Sequence, residues 1–205
     1  MDTYEIITIP DPVLKQKAQP VNKVDEDLRV QMDRMMATMY GARGIGLAAN
    51  QVSLLNRVIV MDVNPESWIY GPEIDGVLTI ESPYRSGEKE DEDESIPGIA
   101  PPKAFPLIMA NPEVIWSSEK KSVFEEGCLS IPQQYADVIR PASVRVKYID
   151  YTGQQAEMEA HGLLSHCVQH EIDHLDGKLF IDYLSSLKRN MIIKKFDKIK
   201  KQTTL

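Results

Sequence analysis

The stretch Gln169-His170-Glu171-Ile172-Asp173-His174-Leu175-Asp176-Gly177 constrains this chain more than any other. It contains His-Glu-x-x-His, a pattern whose chemistry depends on its being helical. Residues four apart share one face of an α-helix about one turn apart, so His170 and His174 can grip one metal ion together. Glu171 then lies beside the first ligand, where it can take a proton from a metal-bound water. The bland alternative is a surface helix carrying two histidines. The chain has only four histidines, two of them in this pattern, which weighs against coincidence. The metal helix is expected to run from about Gly162 to Leu175, with Gly177 just past its end. Leu163, Leu164, Cys167 and Val168 give it an apolar face, so the ligands belong to a largely buried helix.

A core has to form around that helix. With 205 residues, 42% of them hydrophobic, the chain suits one domain over its whole length and not wholesale disorder. Leu28, Met32, Met35, Met36 and Met39 recur at helical spacing between Asp25 and Tyr40, with Gly41 placed to end the helix. Stacked methionines of this kind read as core filling. Ile6 to Val21 is punctuated by prolines and extended, with a short helical turn at Val13-Leu14-Lys15. Strands are expected at 57–63, at 77–80 and from Pro106 to Trp116. Val144 to Tyr151 and Ala156 to Ala160 form a hairpin turned by Gly153. Glu125 to Pro132 reads as a loop with Cys128 at its centre, and Leu179-Phe180-Ile181 as strand-like. A terminal helix runs from Ser186 to about Gln202.

Charge and cysteine content exclude several classes. The net charge of −8 argues against DNA or general nucleic-acid binding. The acidity is concentrated in one segment. Between residues 64 and 106 there are ten acidic residues and three basic ones. This segment is also proline-rich, and it reads as an exposed acidic surface insertion. No apolar run approaches the roughly 18 residues of a membrane span, and the first residues lack a basic, then apolar, leader pattern. A soluble, cytoplasmic protein is expected. Two cysteines give no disulfide framework and fit a reducing compartment.

Gly44-Ile45-Gly46-Leu47-Ala48-Ala49-Asn50-Gln51 superficially fits a dinucleotide fingerprint. That motif must follow a strand and open a helix, whereas here a helix precedes it and a strand follows, so the cofactor reading fails. Two glycines and two alanines instead mark a backbone packed tightly against something, with Gln51 as the polar side chain able to reach it. From this segment alone a solvated Gln51 is an equal reading.

Two histidines do not complete a catalytic metal site, which usually has three protein ligands and one open position. Downstream of His174 there is neither Glu nor His, only Asp176, Asp182 and Asp197, and position 180 is Phe180. The third ligand is therefore sought upstream. His166 lies one turn before His170, and three ligands along one straight helix converge poorly, so a pocket-lining role suits it better. His161 is a weaker candidate. Cys128 is the best, because a thiolate is a strong ligand and Gly127 lets the backbone come close. Cys167 reads as a small core residue.

Gly44 to Gln51, Glu126-Gly127-Cys128-Leu129-Ser130 and Gln169 to His174 resemble, in order, the three motifs of the peptide deformylase family. The opening Ile9-Pro10-Asp11-Pro12-Val13-Leu14, the Val144 hairpin and the basic terminal helix fit bacterial members. The likeness spans nearly the whole chain except about residues 64–106, where the family usually has a short turn. It implies an α+β fold: antiparallel β-sheets packed around the central metal-binding helix, with a C-terminal helix.

The resemblance implies removal of the formyl group from the N-terminal formylmethionine of nascent chains, with release of formate. Cys128, His170 and His174 would hold one divalent metal ion. Fe2+ is expected, and Zn2+, Ni2+ or Co2+ can substitute. Glu171 would be the general base, with the Gln51 side-chain amide and the Leu129 backbone N–H as oxyanion donors. Gly46 would pair with the substrate main chain, and Ile45, His166 and Cys167 would border the methionine pocket. An apolar residue is usual at position 166, and His166 departs from that. Arg140 and Glu126 read equally as substrate-side charges or as a structural ion pair. The basic terminal helix offers a contact to ribosomal RNA, with a solvated face as the alternative. A monomer is expected. The rival readings are another metallo-amidase or peptidase, and a binding protein that keeps the fold without catalysis.

Overall fold

The computed structural model describes residues 2–63, 69–74, 77–81 and 106–203. Most of the acidic insertion, residues 64–68, 75–76 and 82–105, lies outside them.

Helix α1 spans Glu26–Gly41 and is capped by Asp25, whose carboxylate accepts the Leu28 N–H at 3.2 Å. Strand β1 (Gly46–Ala48) follows, then a 3-10 turn over Ala49–Val52 that carries Gln51. Strands β2 (Val58–Asp62), β3 (Ile69–Ile74), β4 (Val77–Glu81), β5 (Pro106–Ser117), β6 (Lys121–Cys128), β7 (Ile131–Pro141), β8 (Ser143–Ile149) and β9 (Gln155–His161) complete the sheets. Helix α2, Gly162–Leu175, carries the His-Glu-x-x-His pattern, and α3, Ser186–Thr203, ends the described chain. Among the described residues no helix is long and apolar enough to cross a membrane.

The strands form one sheet in the order β1-β2-β5-β8-β9 and a second in the order β3-β4-β6-β7. Every pairing is antiparallel except that of β4 with β6. Strand β2 is apolar on both faces and divides two cores. On one side Val58 and Val60 meet the methionines of α1, of which Met32, Met35 and Met39 are fully buried. On the other, Ile59 and Met61 meet Leu163, Cys167, Val168, Ile172 and Leu175 of α2. Burying such side chains stabilises by about 1.5–3 kcal/mol each. Helix α2 is therefore clamped with its apolar face on the five-stranded sheet and its histidine face toward β6.

Two expectations differ from the structure. The segment 125–132 is not a loop: β6 and β7 form a hairpin separated only by Leu129 and Ser130. Glu126 and Gly127 disguise it in sequence, because neither favours a strand. Glu126 is tolerated because it points inward and is neutralised there. Phe180–Tyr183 is a 3-10 turn, not a strand, since the Asp182 carboxylate accepts the Leu179 N–H at 2.8 Å and closes the backbone on itself. Gly177 stops α2 with φ at +72°, and a Cβ there would lie 2.5 Å from the Lys15 carbonyl oxygen. That close approach, with the Ala18 N–H donating to the Leu175 carbonyl at 2.8 Å, ties the proline-rich N-terminal segment to the end of α2.

Candidate metal centre and its cleft

Strand β6 alternates, and its inward residues are Ser122, Phe124, Glu126 and Cys128. Helix α2 presents His166, His170 and His174 one turn apart. The strand's inward row faces the histidine row of the helix. Ser122 Oγ lies 2.7 Å from His166 Nε2, Glu126 Oε2 2.8 Å from His170 Nδ1, and Cys128 Sγ 3.2 Å from His174 Nε2. The β6–β7 register breaks between Gly127 and Cys128, which frees the cysteine from the regular ladder at the strand end.

One potential ligand atom from each of Cys128, His170 and His174 lies within 4.8 Å of the other two. One sulfur and two imidazole nitrogens suit a catalytic ion with a position left open. The electrostatics suit a cation too. Burial drives His174 well below its ordinary pKa and keeps it neutral, as a ligand must be. Burial also opposes a charge on His170, but Cys128 and Glu126 outweigh it and the net shift is strongly upward, so this atom sits where positive charge is favoured. The residues fit a divalent metal. His161, the weaker candidate, is exposed at the end of β9 with its Nδ1 2.9 Å from Ser143 Oγ. Asp182 is engaged by Lys15 and by the Leu179 N–H.

Glu126 and Arg140 form a buried ion pair, with Arg140 Nη2 donating to Oε2 at 3.0 Å and its Nε to Oε1 at 2.5 Å. Arg140 Nη1 also donates to Asp173 Oδ2 at 2.7 Å, and the Tyr183 hydroxyl donates to the same oxygen at 2.8 Å. Burial alone would raise the Glu126 carboxyl, but hydrogen bonds from His166, His170 and Arg140 hold it well below the usual range. Ionised Glu126 therefore accepts from His170 Nδ1 and turns Nε2 toward the other ligands, as outer carboxylates do for metal histidines. Arg140 is not among the residues that line the cleft, whereas Glu126 is. Replacing Arg140 by Met leaves two buried carboxylates without their partner. A loss of about 3–5 kcal/mol is expected from denaturant unfolding of the protein. A change under about 1 kcal/mol would mean that Tyr183 and the histidines suffice.

The cleft has a volume of about 780 Å³ and is lined by residues of β1, of the β6–β7 hairpin and of α2. Glu171 stands at its wall, with Oε2 buried and without a hydrogen-bond partner. Burial raises its carboxyl to about 7, a range suited to taking and returning a proton near neutral pH. A Cβ on Gly46 would overlap Glu171 Oε1 and lie 3.0 Å from Cys167 Sγ. The tight packing expected of the Gly-rich segment is thus packing against the candidate base. A Cβ on Gly44 would lie 2.7 Å from the Leu129 side chain. Gln51 is buried rather than solvated. Its Oε1 accepts the Ala48 N–H at 2.8 Å, and its Nε2 donates to Ser130 Oγ at 3.2 Å and to Cys128 Sγ at 3.5 Å. Leu129, Ile45, His166 and Cys167 also line the cleft.

Sequence reasoning missed Ser130, which holds the Gln51 amide, Ser122, which holds His166, and Asp173, which shares Arg140. The sequence around Ser122, Lys-Ser-Val-Phe-Glu-Glu-Gly-Cys, carries no alternation that would have marked it. The other two contacts join distant segments.

Known proteins resemble this chain over nearly its whole length. The family described as Polypeptide deformylase matches residues 3–190, a span that runs across the acidic segment. A peptide deformylase from Mesorhizobium japonicum is 47% identical over 201 residues, covering 98% of this chain and 95% of that protein. The crystal structure of peptide deformylase from Ehrlichia chaffeensis superposes with a TM-score of 0.78 at 34% identity, covering 100% of both chains. The same enzyme in complex with actinonin gives 0.76 at 34% identity, covering 97% of this chain and 98% of that one. Likeness of this extent in both sequence and fold leaves one conclusion: the chain belongs to the peptide deformylase family of metal-dependent enzymes.

Proposed function

We propose that this enzyme hydrolyses the formyl amide of formylmethionine at the N-terminus of nascent polypeptides, releasing formate. The observation that carries the reading is the convergence of Cys128, His170 and His174 donors beside the buried carboxylate of Glu171. Those three residues would hold one divalent ion, with Fe2+ expected and Zn2+, Ni2+ or Co2+ able to substitute. When bound, the ion supplies Lewis acidity toward water and the formyl oxygen.

Glu171 accepts the proton of the attacking water and returns it to the leaving amine. The Gln51 Nε2–H and the Leu129 backbone N–H stabilise the charge that develops on the formyl oxygen. Gln51 is prepared for this by the Ala48 N–H, which fixes which end of the amide faces the cysteine. Gly46 offers its backbone to the substrate main chain, while its lack of a side chain keeps Glu171 close. Ile45, His166 and Cys167 border the methionine side chain. Glu126 and Arg140 act through His170, orienting it, and Glu126 contributes the cleft wall behind it. Cytoplasmic location follows from the substrate proposed.

Protein loaded anaerobically with Fe2+ is expected to release one formate per formyl-Met-Ala-Ser peptide, leaving the peptide bonds intact. Peptide-bond cleavage instead would make the chain a peptidase, and binding without turnover a non-catalytic relative. Gln51→Ala is expected to lower kcat by roughly 10²–10³-fold, the usual cost of one oxyanion donor. Helix α3 docks through Ile192 and Phe196 and leaves Lys194, Lys195 and Lys198 exposed, a face suited to the phosphates of ribosomal RNA. Truncation after Leu187 is expected to reduce co-sedimentation with ribosomes; unchanged co-sedimentation would return those lysines to a solvated face.

A further inference from the structure

His166 puts a polar ring in the wall of a pocket that receives an apolar side chain, yet its polar atoms are turned away. Nε2 faces Ser122 Oγ at 2.7 Å and Nδ1 faces Glu126 Oε1 at 3.5 Å. Burial lowers its pKa, so the ring is held neutral. The ring carbons are what remain for the cleft. Phe124 lines the same cleft, with its ring centroid 5.8 Å from that of His166 and the planes inclined at 56°. Leu163 and Cys167 complete this part of the wall. A side chain entering here meets two aromatic surfaces set at an angle, with the His166 ring held by Ser122 and Glu126.

A hydrocarbon wall has no reason to prefer sulfur over a methylene of similar size. An aromatic wall does, because a thioether is polarisable and its contacts with ring edges and faces are favourable. Resting on the deformylase reading, we propose that the Phe124–His166 ring pair is a specificity-determining element that selects methionine by its sulfur, against straight hydrocarbon side chains of the same length. Ser122 is the positioning residue: its hydroxyl holds the ring so that carbon, not nitrogen, faces the substrate.

The test compares kcat/KM for formyl-Met-Ala-Ser and formyl-norleucine-Ala-Ser on the metal-loaded enzyme, with formate as the readout. Wild type is expected to favour methionine by roughly two- to tenfold, the range of sulfur–aromatic contacts. In a Ser122→Ala background, which leaves no orphaned hydroxyl, His166→Leu is expected to bring the ratio toward unity. His166→Phe in the same background keeps a ring and should keep the preference. A role confined to folding would lower both peptides together and leave the ratio unmoved. A wild-type ratio at or below unity overturns the proposal even where the variants do not fold, as does a ratio unchanged in His166→Leu. Formate from neither peptide would remove the deformylase reading and the proposal with it.

Discussion

Glu171→Gln is expected to keep its metal and lose deformylation by roughly 10²–10⁴-fold, the contribution of a positioned general base. The substitution is nearly isosteric, which matters because the Glu171 carboxylate lies directly against the Gly46 backbone. A larger group would push β1 away and confound chemistry with geometry. The glutamine keeps the packing and removes the basicity. Of its candidate-ligand neighbours, His170 is held by Glu126 at 2.8 Å and His174 lies against Cys128, neither depending on Glu171, so the metal content should not change. Metal analysis paired with a formate assay checks both halves. Near-normal turnover would remove Glu171 as the base, and loss of metal would make it a ligand or a support for one.

Cys128→Ala is expected to abolish stable metal retention. The loss should exceed the roughly 10–100-fold in affinity that follows when an outer-shell partner is removed. Cys128 supplies one of three candidate donors; among the described residues Asp182 is engaged elsewhere, and Cys167, the other thiol, is buried. Burial raises the Cys167 thiol well above its ordinary pKa, which disfavours the thiolate a ligand needs. Because Cys128 ends a strand next to a two-residue turn, truncation leaves the hairpin ladder intact and the protein should still fold. Elemental analysis after anaerobic loading measures the effect, with circular dichroism as the control for folding. A full metal complement in this variant would return Asp182 or a histidine to the ligand set.

Much of the frame was legible from local chemistry. Helix α1 announced itself through methionines at helical spacing with Gly41 at its end, and β8–β9 through alternation about Gly153. The β6–β7 hairpin was not legible because its inward face carries Ser122, Glu126 and Cys128 where a core strand would carry apolar residues. Each is polar for a reason that lies on another element: His166, Arg140 with His170, and His174. The 3-10 turn after Leu179 was obscured by its apolar run, which local periodicity cannot assign when only three residues long.

The sequence by itself determined the candidate ligand residue types, the i,i+4 spacing of two of them, and the family. These depend on helical geometry, which is local and repeats every turn. It could not determine that Ser122, Glu126 and Cys128 would face His166, His170 and His174. That match needs β6 and α2 to run side by side with the strand's inward residues facing the histidines. The apolar packing of α2 on the five-stranded sheet decides it, because it fixes which face of the helix is left for the hairpin. Burial then commits the Ser122–His166 and Glu126–Arg140 pairs to one arrangement, since a desolvated polar group left without a partner is costly.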